Sequence, residues 1–267
     1  MQKLIPQDQA GRNGYYGIFS EQLATDRTHS IMAQFSYGLS DFDLDLENQV
    51  ELNGGSISIQ DSNLLTASAG TNIEGQASVQ SEDKIRYRAG CTCIAQLTAQ
   101  FSNYENDDSE AWIWPFNGTN WYRIWYEDGV FKFQVMKDGV ITQTASSPSF
   151  NNGKSEDKDI DYYYKQLNPE ALNIYRITYG YLGSAPATLE VLGKNEVSRY
   201  PLHTFTFNDT PWTNIEVPYL PIQLKAINTG ANSNISVSTA SIQAGVMWQD
   251  VTTSTRYFQD NREFITC

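Results

Sequence analysis

Residues 111–139 read AWIWPFNGTNWYRIWYEDGVFKFQVMKDG, and this stretch decides the fold class. It contains the pairs Asn117-Gly118, Asp128-Gly129 and Asp138-Gly139, which recur every ten or eleven residues. Pairs of this kind between runs of aromatic and β-branched residues favour two-residue hairpin turns, because both residues tolerate positive φ. The stretch therefore predicts an antiparallel meander of consecutive strands.

Alternating apolar and polar runs, separated by turn residues, continue on both sides of this meander. The run 91–101 predicts a long strand in which Cys91, Cys93 and every second residue after them face a core. Turns at 53–55 and 228–232 predict two further hairpins. The runs suffice for roughly ten to thirteen strands, enough for two packed sheets. The predicted fold is all-β, an antiparallel, jelly-roll-like β-sandwich with an extended N-terminal arm and few or no helices.

The chain divides into three parts by pattern. Residues 46–246 carry the strand pattern and form the predicted β-sandwich domain. Residues 1–45 lack a sustained period and are rich in glycine and aromatic residues, which predicts an arm for attachment or oligomerisation. The alternative is that they form strands and loops around the chain's own sandwich. Residues 247–267 are predicted to be a C-terminal tail or an edge strand, and the polar loop 146–170 has the length of a functional or mobile loop.

The composition argues against several kinds of partner. The formal net charge is -13, with 18 scattered lysines and arginines among 267 residues. Binding of nucleic acid needs a positive patch that displaces counterions, so we expect no nucleic-acid partner. No run approaches the roughly 18 apolar residues of a membrane span. The N-terminus also lacks the apolar core of a signal peptide, so we expect a soluble protein without a membrane partner.

The chain offers little for catalysis. His29 and His203 are its two histidines, and neither lies in a recognisable catalytic motif. Glu110, Glu127 and Asp128 flank the tryptophans, but the two glutamates on one strand face that sandwich-fold glycosidases use are missing. The three cysteines are expected to be free thiols, and the short acidic runs to be solvated loop tips. We therefore expect no enzyme activity, no cofactor and no metal site.

Tryptophan and tyrosine concentrate on the first two strands of the meander. By alternation, Trp121 shares one face of its strand with Arg123 and Trp125, and Trp112 shares a face with Trp114. One face must be core, and the other is interpreted first as further packing, then as a subunit interface, then as a platform for sugar rings. The candidate interface or ligand residues are these four tryptophans together with the aromatic residues of the N-terminal segment, Tyr15, Tyr16, Phe19, Phe35 and Tyr37.

A set of short motifs follows a particular order along residues 10–245. They are Gly11-Arg12, Ile18-Phe19, RYRAG at 86–90, LTAQF at 97–101, FNGT at 116–119, LNPEALNIYRI at 167–177, YLG at 181–183, PYLP at 218–221 and NTG at 228–230. Each motif alone would suit any sandwich. In this order they resemble a family of bacteriophage virion structural proteins, the head, neck or tail decoration and fibre subunits that contain a β-sandwich domain.

The resemblance implies a non-enzymatic component of a phage particle, such as a head fibre, a capsid decoration or a neck or tail fibre subunit. It implies other virion proteins as partners, a homo-oligomer such as a trimer, and location in the virion after synthesis in the host bacterial cytoplasm. The arm and the aromatic surfaces would then bury apolar area against neighbouring subunits. The alternative function is a carbohydrate-binding or receptor-binding fibre module that holds a host surface glycan on its Trp and Tyr strands.

Overall fold

The computed structural model describes residues 27–35, 38, 44–47, 49–59, 63–87, 91–102, 109–127, 130–151, 167–181, 185–192, 199–207, 215, 217–230 and 234–247, with the backbone alone for 27–29, 109–117, 127 and 148. These residues form sixteen β-strands and one 3-10 turn, Ser147–Ser149. Within these ranges, no helix has the length and apolar character needed to cross a membrane.

The strands are, in chain order, β1 (Arg27–Gln34), β2 (Val50–Leu52), β3 (Ser56–Ile59), β4 (Leu65–Ser68), β5 (Gln76–Gln80), β6 (Thr92–Ser102), β7 (Ser109–Asn117), β8 (Asn120–Glu127), β9 (Val130–Lys137), β10 (Val140–Ser146), β11 (Asn173–Tyr179), β12 (Ala187–Leu192), β13 (Arg199–Phe205), β14 (Ile222–Asn228), β15 (Ser236–Thr239) and β16 (Ser241–Met247).

These strands form two antiparallel sheets, one of nine strands and one of seven. In the nine-stranded sheet, β6 pairs with β11 along one edge and with β16 and then β15 along the other. The sheet continues from β11 to β12 and β13, and from β15 to β4 and β3, while β1 lies beside β16. The seven-stranded sheet has the order β10-β9-β8-β7-β14-β5-β2. The predicted meander is confirmed as the four consecutive strands β7 to β10.

Aromatic rings from the two sheets meet in the interior. Tyr122 of β8 stacks on Tyr179 of β11 with ring centroids 4.3 Å apart. Phe131 of β9 stacks on Tyr175 at 5.4 Å, and further along the same strand Phe133 stacks on Phe205 of β13 at 4.9 Å (the last pair being the closest to parallel, at 18°). Offset-stacked pairs of this kind add to the free energy gained from burial alone. The predicted antiparallel β-sandwich is confirmed.

The turns of the meander follow the predicted chemistry with one shift of register. Asp138 and Gly139 both adopt positive φ, 49° and 77°, and connect β9 to β10 as the two residues of a tight hairpin. Between β7 and β8 the last pair is Asn117 with Asn120, so the two-residue connection is Gly118 and Thr119. Positive φ at Gly118 makes glycine the residue that this turn requires.

The two other predicted hairpins are wrong. A turn is present at 53–55, but β2 pairs with β5 in the seven-stranded sheet while β3 pairs with β4 in the nine-stranded sheet. Likewise, β14 and β15 on either side of 228–232 lie in different sheets. The chain crosses between layers at both places. Gly55 is required at the first crossing, because a Cβ there would lie 2.0 Å from the carbonyl oxygen of Gln76.

The described part of the 1–45 segment belongs to the sandwich. Strand β1 pairs with β16 from Arg27 to Gln34. Phe35 is 1% exposed and lies in the core, and Leu44 is buried and bridges to Ser81. Residues 27–35 therefore follow the alternative interpretation, in which this segment contributes strands to the chain's own fold. Residues 1–26 and 248–267 lie outside the described residues.

Cys93 lies on the inner face of β6, as predicted, with the ring of Tyr179 beside it. Cys91 and Cys93 are both free thiols. Burial raises the pKa of the Cys93 thiol to about 12, because the thiolate is poorly solvated in an apolar interior. The thiolate is the reactive species of cysteine, so this packing protects Cys93 from modification.

We expect Cys93 in the folded protein to resist alkylation by iodoacetamide at mildly alkaline pH, since its raised pKa leaves almost no thiolate. Peptide mapping after labelling of folded and urea-unfolded protein measures this site by site. Cys93 should be labelled many times faster in the unfolded chain. Equal labelling rates in the two states would contradict the packing.

Phe35→Ala should destabilise the fold by about 3–5 kcal/mol, the usual cost of emptying a buried phenylalanine site. The matched control is Met32→Ala on the preceding strand β1, where the side chain is 64% exposed and the change should stay within about 0.5 kcal/mol. Denaturant unfolding measures both variants. A Phe35→Ala variant as stable as Met32→Ala would show that β1 is not part of the cooperative fold.

Candidate functional site on the seven-stranded sheet

The strands of the meander present one face to the core and the other outward. On β8, Tyr122, Ile124 and Tyr126 are buried in the sandwich interior. Trp121 and Trp125 alternate with them and pack in a separate cluster. The sharing of faces predicted from the sequence is therefore confirmed for this strand.

The backbone register lines up three rows of side chains across β8, β9 and β10. The first row is apolar and contains Trp121, Met136 and Ile141. The second contains Arg123, Gln134 and Thr144, and the third contains Trp125, Lys132 and Ser146. We call these nine residues the β8–β10 face. Directly opposed residues on neighbouring strands lie about 4.5–5.5 Å apart, so each row is a set of touching neighbours.

Cation–π contacts connect the first and third rows. The guanidinium carbon of Arg123 lies 4.3 Å from the ring centroid of Trp125 and 5.1 Å from that of Trp121. The Nζ atom of Lys132 lies 5.4 Å from the same Trp125 ring. Arginine over tryptophan is the most favourable common form of this contact. The three side chains Trp121, Arg123 and Trp125 form a ladder along the strand.

Gln134 holds the ladder in place from the neighbouring strand. Its Oε1 atom accepts hydrogen bonds from Nε of Arg123 at 2.7 Å and from Nε1 of Trp121 at 3.4 Å. Its Nε2 atom donates to Oγ1 of Thr144 at 3.1 Å. The side chain is only 4% exposed, so this amide positions its neighbours and does not itself face solvent. Buried polar networks of this kind fix side-chain geometry when their members are paired.

The two tryptophans of the ladder differ in solvent exposure. Trp125 is 3% exposed although it lies on an outer face: Arg123 and Lys132 lie near its ring, and Ile227 of β14 packs against it. Trp121 is only partly buried. At the far end of the same row, across Met136, Ile141 on the edge strand β10 is 50% exposed. A ligand can therefore reach Trp121 and the apolar row, whereas Trp125 supports the ladder from beneath.

The structure brings together only part of the predicted candidate set. Trp121 and Trp125 are in one cluster, while Phe35 is corrected to a core residue, because its ring is enclosed between the sheets. For Trp112 and Trp114 the backbone alone is described, with Trp112 paired to Trp125 and Trp114 to Gln223. Outside the described residues lie the candidates Tyr15, Tyr16, Phe19 and Tyr37, together with Asp128.

Sequence reasoning missed the contributions of β9 and β10. Gln134, Lys132 and Thr144 carry no motif of their own. The Asp128-Gly129 pair does contain the signal: a two-residue turn there predicts that Trp125 pairs with Lys132 and Arg123 with Gln134, which is the observed register. Extending the hairpin from its turn would have identified the second half of the face.

The outer face of the nine-stranded sheet differs in character. Arg176 of β11 pairs with Glu190 of β12, and both side chains are largely buried. Nη2 of Arg199 donates to Oε1 of Gln96 at 3.0 Å. Within the described ranges, no group of three or more His, Cys, Asp or Glu side chains is placed to hold a metal ion. The combination of aromatic planes with fixed polar groups is found on the β8–β10 face.

The fold is similar to that of several solved structures. Cellulose induced protein Cip1 matches with a TM-score of 0.51 at 13% identity, over 80% of this chain and 96% of that one. A legume lectin-like domain from Entamoeba histolytica gives 0.43 at 16% identity, over 71% and 86%. The receptor binding domain of botulinum neurotoxin D gives 0.47 at 9% identity, over 85% of this chain and 50% of that one. No family model and no curated protein matches the sequence. The likeness to Cip1 is one of fold.

Arg123→Met should lower the stability by about 1 kcal/mol, since it keeps the bulk over the rings and removes the charge. It should also shift the tryptophan emission, because the indole rings of Trp121 and Trp125 lose the neighbouring positive charge. Denaturant unfolding followed by fluorescence measures both effects. The control is Lys84→Met at an exposed loop position, which should change neither quantity. Identical emission of the two variants would contradict the ladder.

Proposed function

We propose that this chain is a carbohydrate-binding β-sandwich and that the β8–β10 face is its binding surface. The observation that carries the proposal is the partly exposed Trp121, held between Arg123 and the Gln134 amide beside an exposed apolar row. Sugar rings present an apolar C–H face and a rim of hydroxyl groups. A fixed aromatic plane next to charged and polar side chains matches both.

Preorganisation supports this assignment. Trp121 donates through Nε1 to Gln134 and carries the Arg123 guanidinium near its ring, so two separate contacts restrict its orientation. The supporting strands are central in an antiparallel sheet, which restricts the backbone as well. A weak ligand such as a glycan gains most from a surface that loses little side-chain entropy when it binds.

The charge distribution also favours this face for a polar ligand. The chain carries a formal charge of -13, yet the charged residues of the β8–β10 face are Arg123 and Lys132. Guanidinium groups donate several hydrogen bonds in a fixed plane, which suits neighbouring hydroxyl oxygens. Neutral and acidic glycans are both compatible with such a surface.

A glycan array on the purified full chain tests the proposal, followed by titration of the strongest ligand. Trp121→Ala should weaken that ligand at least tenfold, as expected for a central aromatic contact worth about 2 kcal/mol. The control is Tyr219→Ala, which removes an aromatic residue that is 50% exposed elsewhere and should leave the affinity unchanged. Absence of any glycan ligand, or equal affinity of both variants, would refute the proposal.

The virion-subunit interpretation stays a prediction that rests on the order of sequence motifs. It is compatible with glycan binding, because a fibre subunit can carry a receptor-binding face. A truncation designed to test assembly through the N-terminal segment has to stop at residue 26, since β1 and Phe35 are parts of the sandwich. A deletion of residues 1–45 would also remove β1 and Phe35, so a loss of assembly could not be separated from a loss of folding.

A further inference from the structure

Within the part of the chain that the structure describes, one margin of the sandwich is closed by side chains and not by strand pairing. Within the described residues, β13 is the last strand of the nine-stranded sheet on its side, and its described partner is β12. From the segment that follows β10, Phe150 and Asn151 contact β13. There the Asn151 side chain donates from Nδ2 to the carbonyl of Thr204 at 2.8 Å and accepts from the Thr204 amide at 3.0 Å. The Asn151 side chain therefore makes the pair of hydrogen bonds that the backbone of a neighbouring strand would make.

His203 completes this contact. The backbone N–H of Asn151 donates to Nδ1 of His203 at 3.1 Å, so Nδ1 must be unprotonated and the ring proton sits on Nε2. The imidazole lies against Phe205, with ring centroids 4.5 Å apart, and against Phe150 at 5.5 Å. Phe150 is itself buried against Phe131. A neutral ring is thus enclosed by apolar rings and by one donor.

We propose that His203 and Asn151 form an acid-sensitive latch: protonation of the imidazole breaks the hydrogen bond from the Asn151 N–H and loosens residues 150–151 at the edge of β13. A proton on Nδ1 would face the Asn151 N–H, so the hydrogen bond is lost and two donors oppose each other. The new positive charge would also be poorly solvated between the phenylalanine rings.

The surroundings offer no counter-charge among the described residues that pack against the ring. The residue opposite His203 on β12 is Leu189. The next residue, Glu190, is engaged with Arg176. From the other sheet, Phe133 of β9 stacks on Phe205, and Gln143 of β10 donates to the carbonyl of Thr206 at 2.8 Å. That bond does not titrate, and neither do the two bonds between Asn151 and Thr204, so protonation loosens this margin without detaching it.

Burial lowers the pKa of His203 below its ordinary value. A base with a depressed folded-state pKa binds protons more readily in the unfolded chain. The stabilisation from the latch is therefore complete above the ordinary histidine pKa of about 6.5 and declines as the pH falls from there toward the lower folded-state value. The structure thus responds in the mildly acidic range.

Hydrogen–deuterium exchange of the full chain at about pH 7.5 and about pH 5 tests the latch, after correction for the intrinsic pH dependence of exchange. Peptides covering 147–151 and 199–207 should exchange up to roughly tenfold faster in acid, the scale of one lost hydrogen bond. His203→Asn, whose Oδ1 can accept from Asn151 without titrating, should abolish this difference. The control His29→Asn removes the other histidine and should behave like the wild type. A pH difference that persists in His203→Asn, or is absent from the wild type, would overturn the proposal.

An NMR titration of the wild type gives an independent test that needs no variant. The Asn151 amide resonance should move with the same midpoint as the His203 imidazole, and that midpoint should lie below the ordinary histidine value. An Asn151 amide that does not follow the imidazole would likewise overturn the proposal.

Discussion

The stacking of Tyr122 on Tyr179 across the interior is the contact on which the rest of the structure depends. Both rings are fully buried, one from the middle of the seven-stranded sheet and one from the nine-stranded sheet. Since side chains alternate along a strand, an inward Tyr122 forces Trp121 and Arg123 outward. A slip of one residue would place a guanidinium in the core, at a cost that excludes the alternative. The core pairing therefore determines the composition of the outer face.

A tryptophan that points outward would expose a large apolar ring to solvent, and side chains of the β8–β10 face cover the ring of Trp125. Trp125 has no further layer of described strands over it, yet it is almost wholly shielded by its neighbours, with Arg123 and Lys132 near its ring. Gln134 then orients Arg123 and Trp121 together. Packing and binding are usually treated as competing interpretations of an aromatic cluster. Here Arg123 contacts both rings, so the packing interpretation applies to Trp125 and the proposed binding role to Trp121.

At the β13 edge of the sandwich, side chains also form hydrogen bonds with exposed backbone groups. Sheet edges carry unpaired backbone groups that invite pairing with other chains. At β13 the Asn151 amide satisfies both groups of Thr204, and Gln143 bridges from the other sheet to Thr206. The edge is thus protected at two places, and only the one at Asn151 includes a hydrogen bond to a titratable group.

The sequence by itself determined the class of fold, most strands and the sharing of faces on β8, because the period of two and the Asx-Gly turns are local properties. It also identified Trp121 and Trp125, whose residue type stands out without any partner. Tertiary structure alone decided that β2 and β3 enter different sheets, that Phe35 is enclosed, and that Gln134 positions the ladder. Each of these depends on which distant residue lies opposite. The same turn sequence can join two paired strands of one sheet or connect one sheet to the other. Which of the two forms depends on how the inner faces of both sheets are buried.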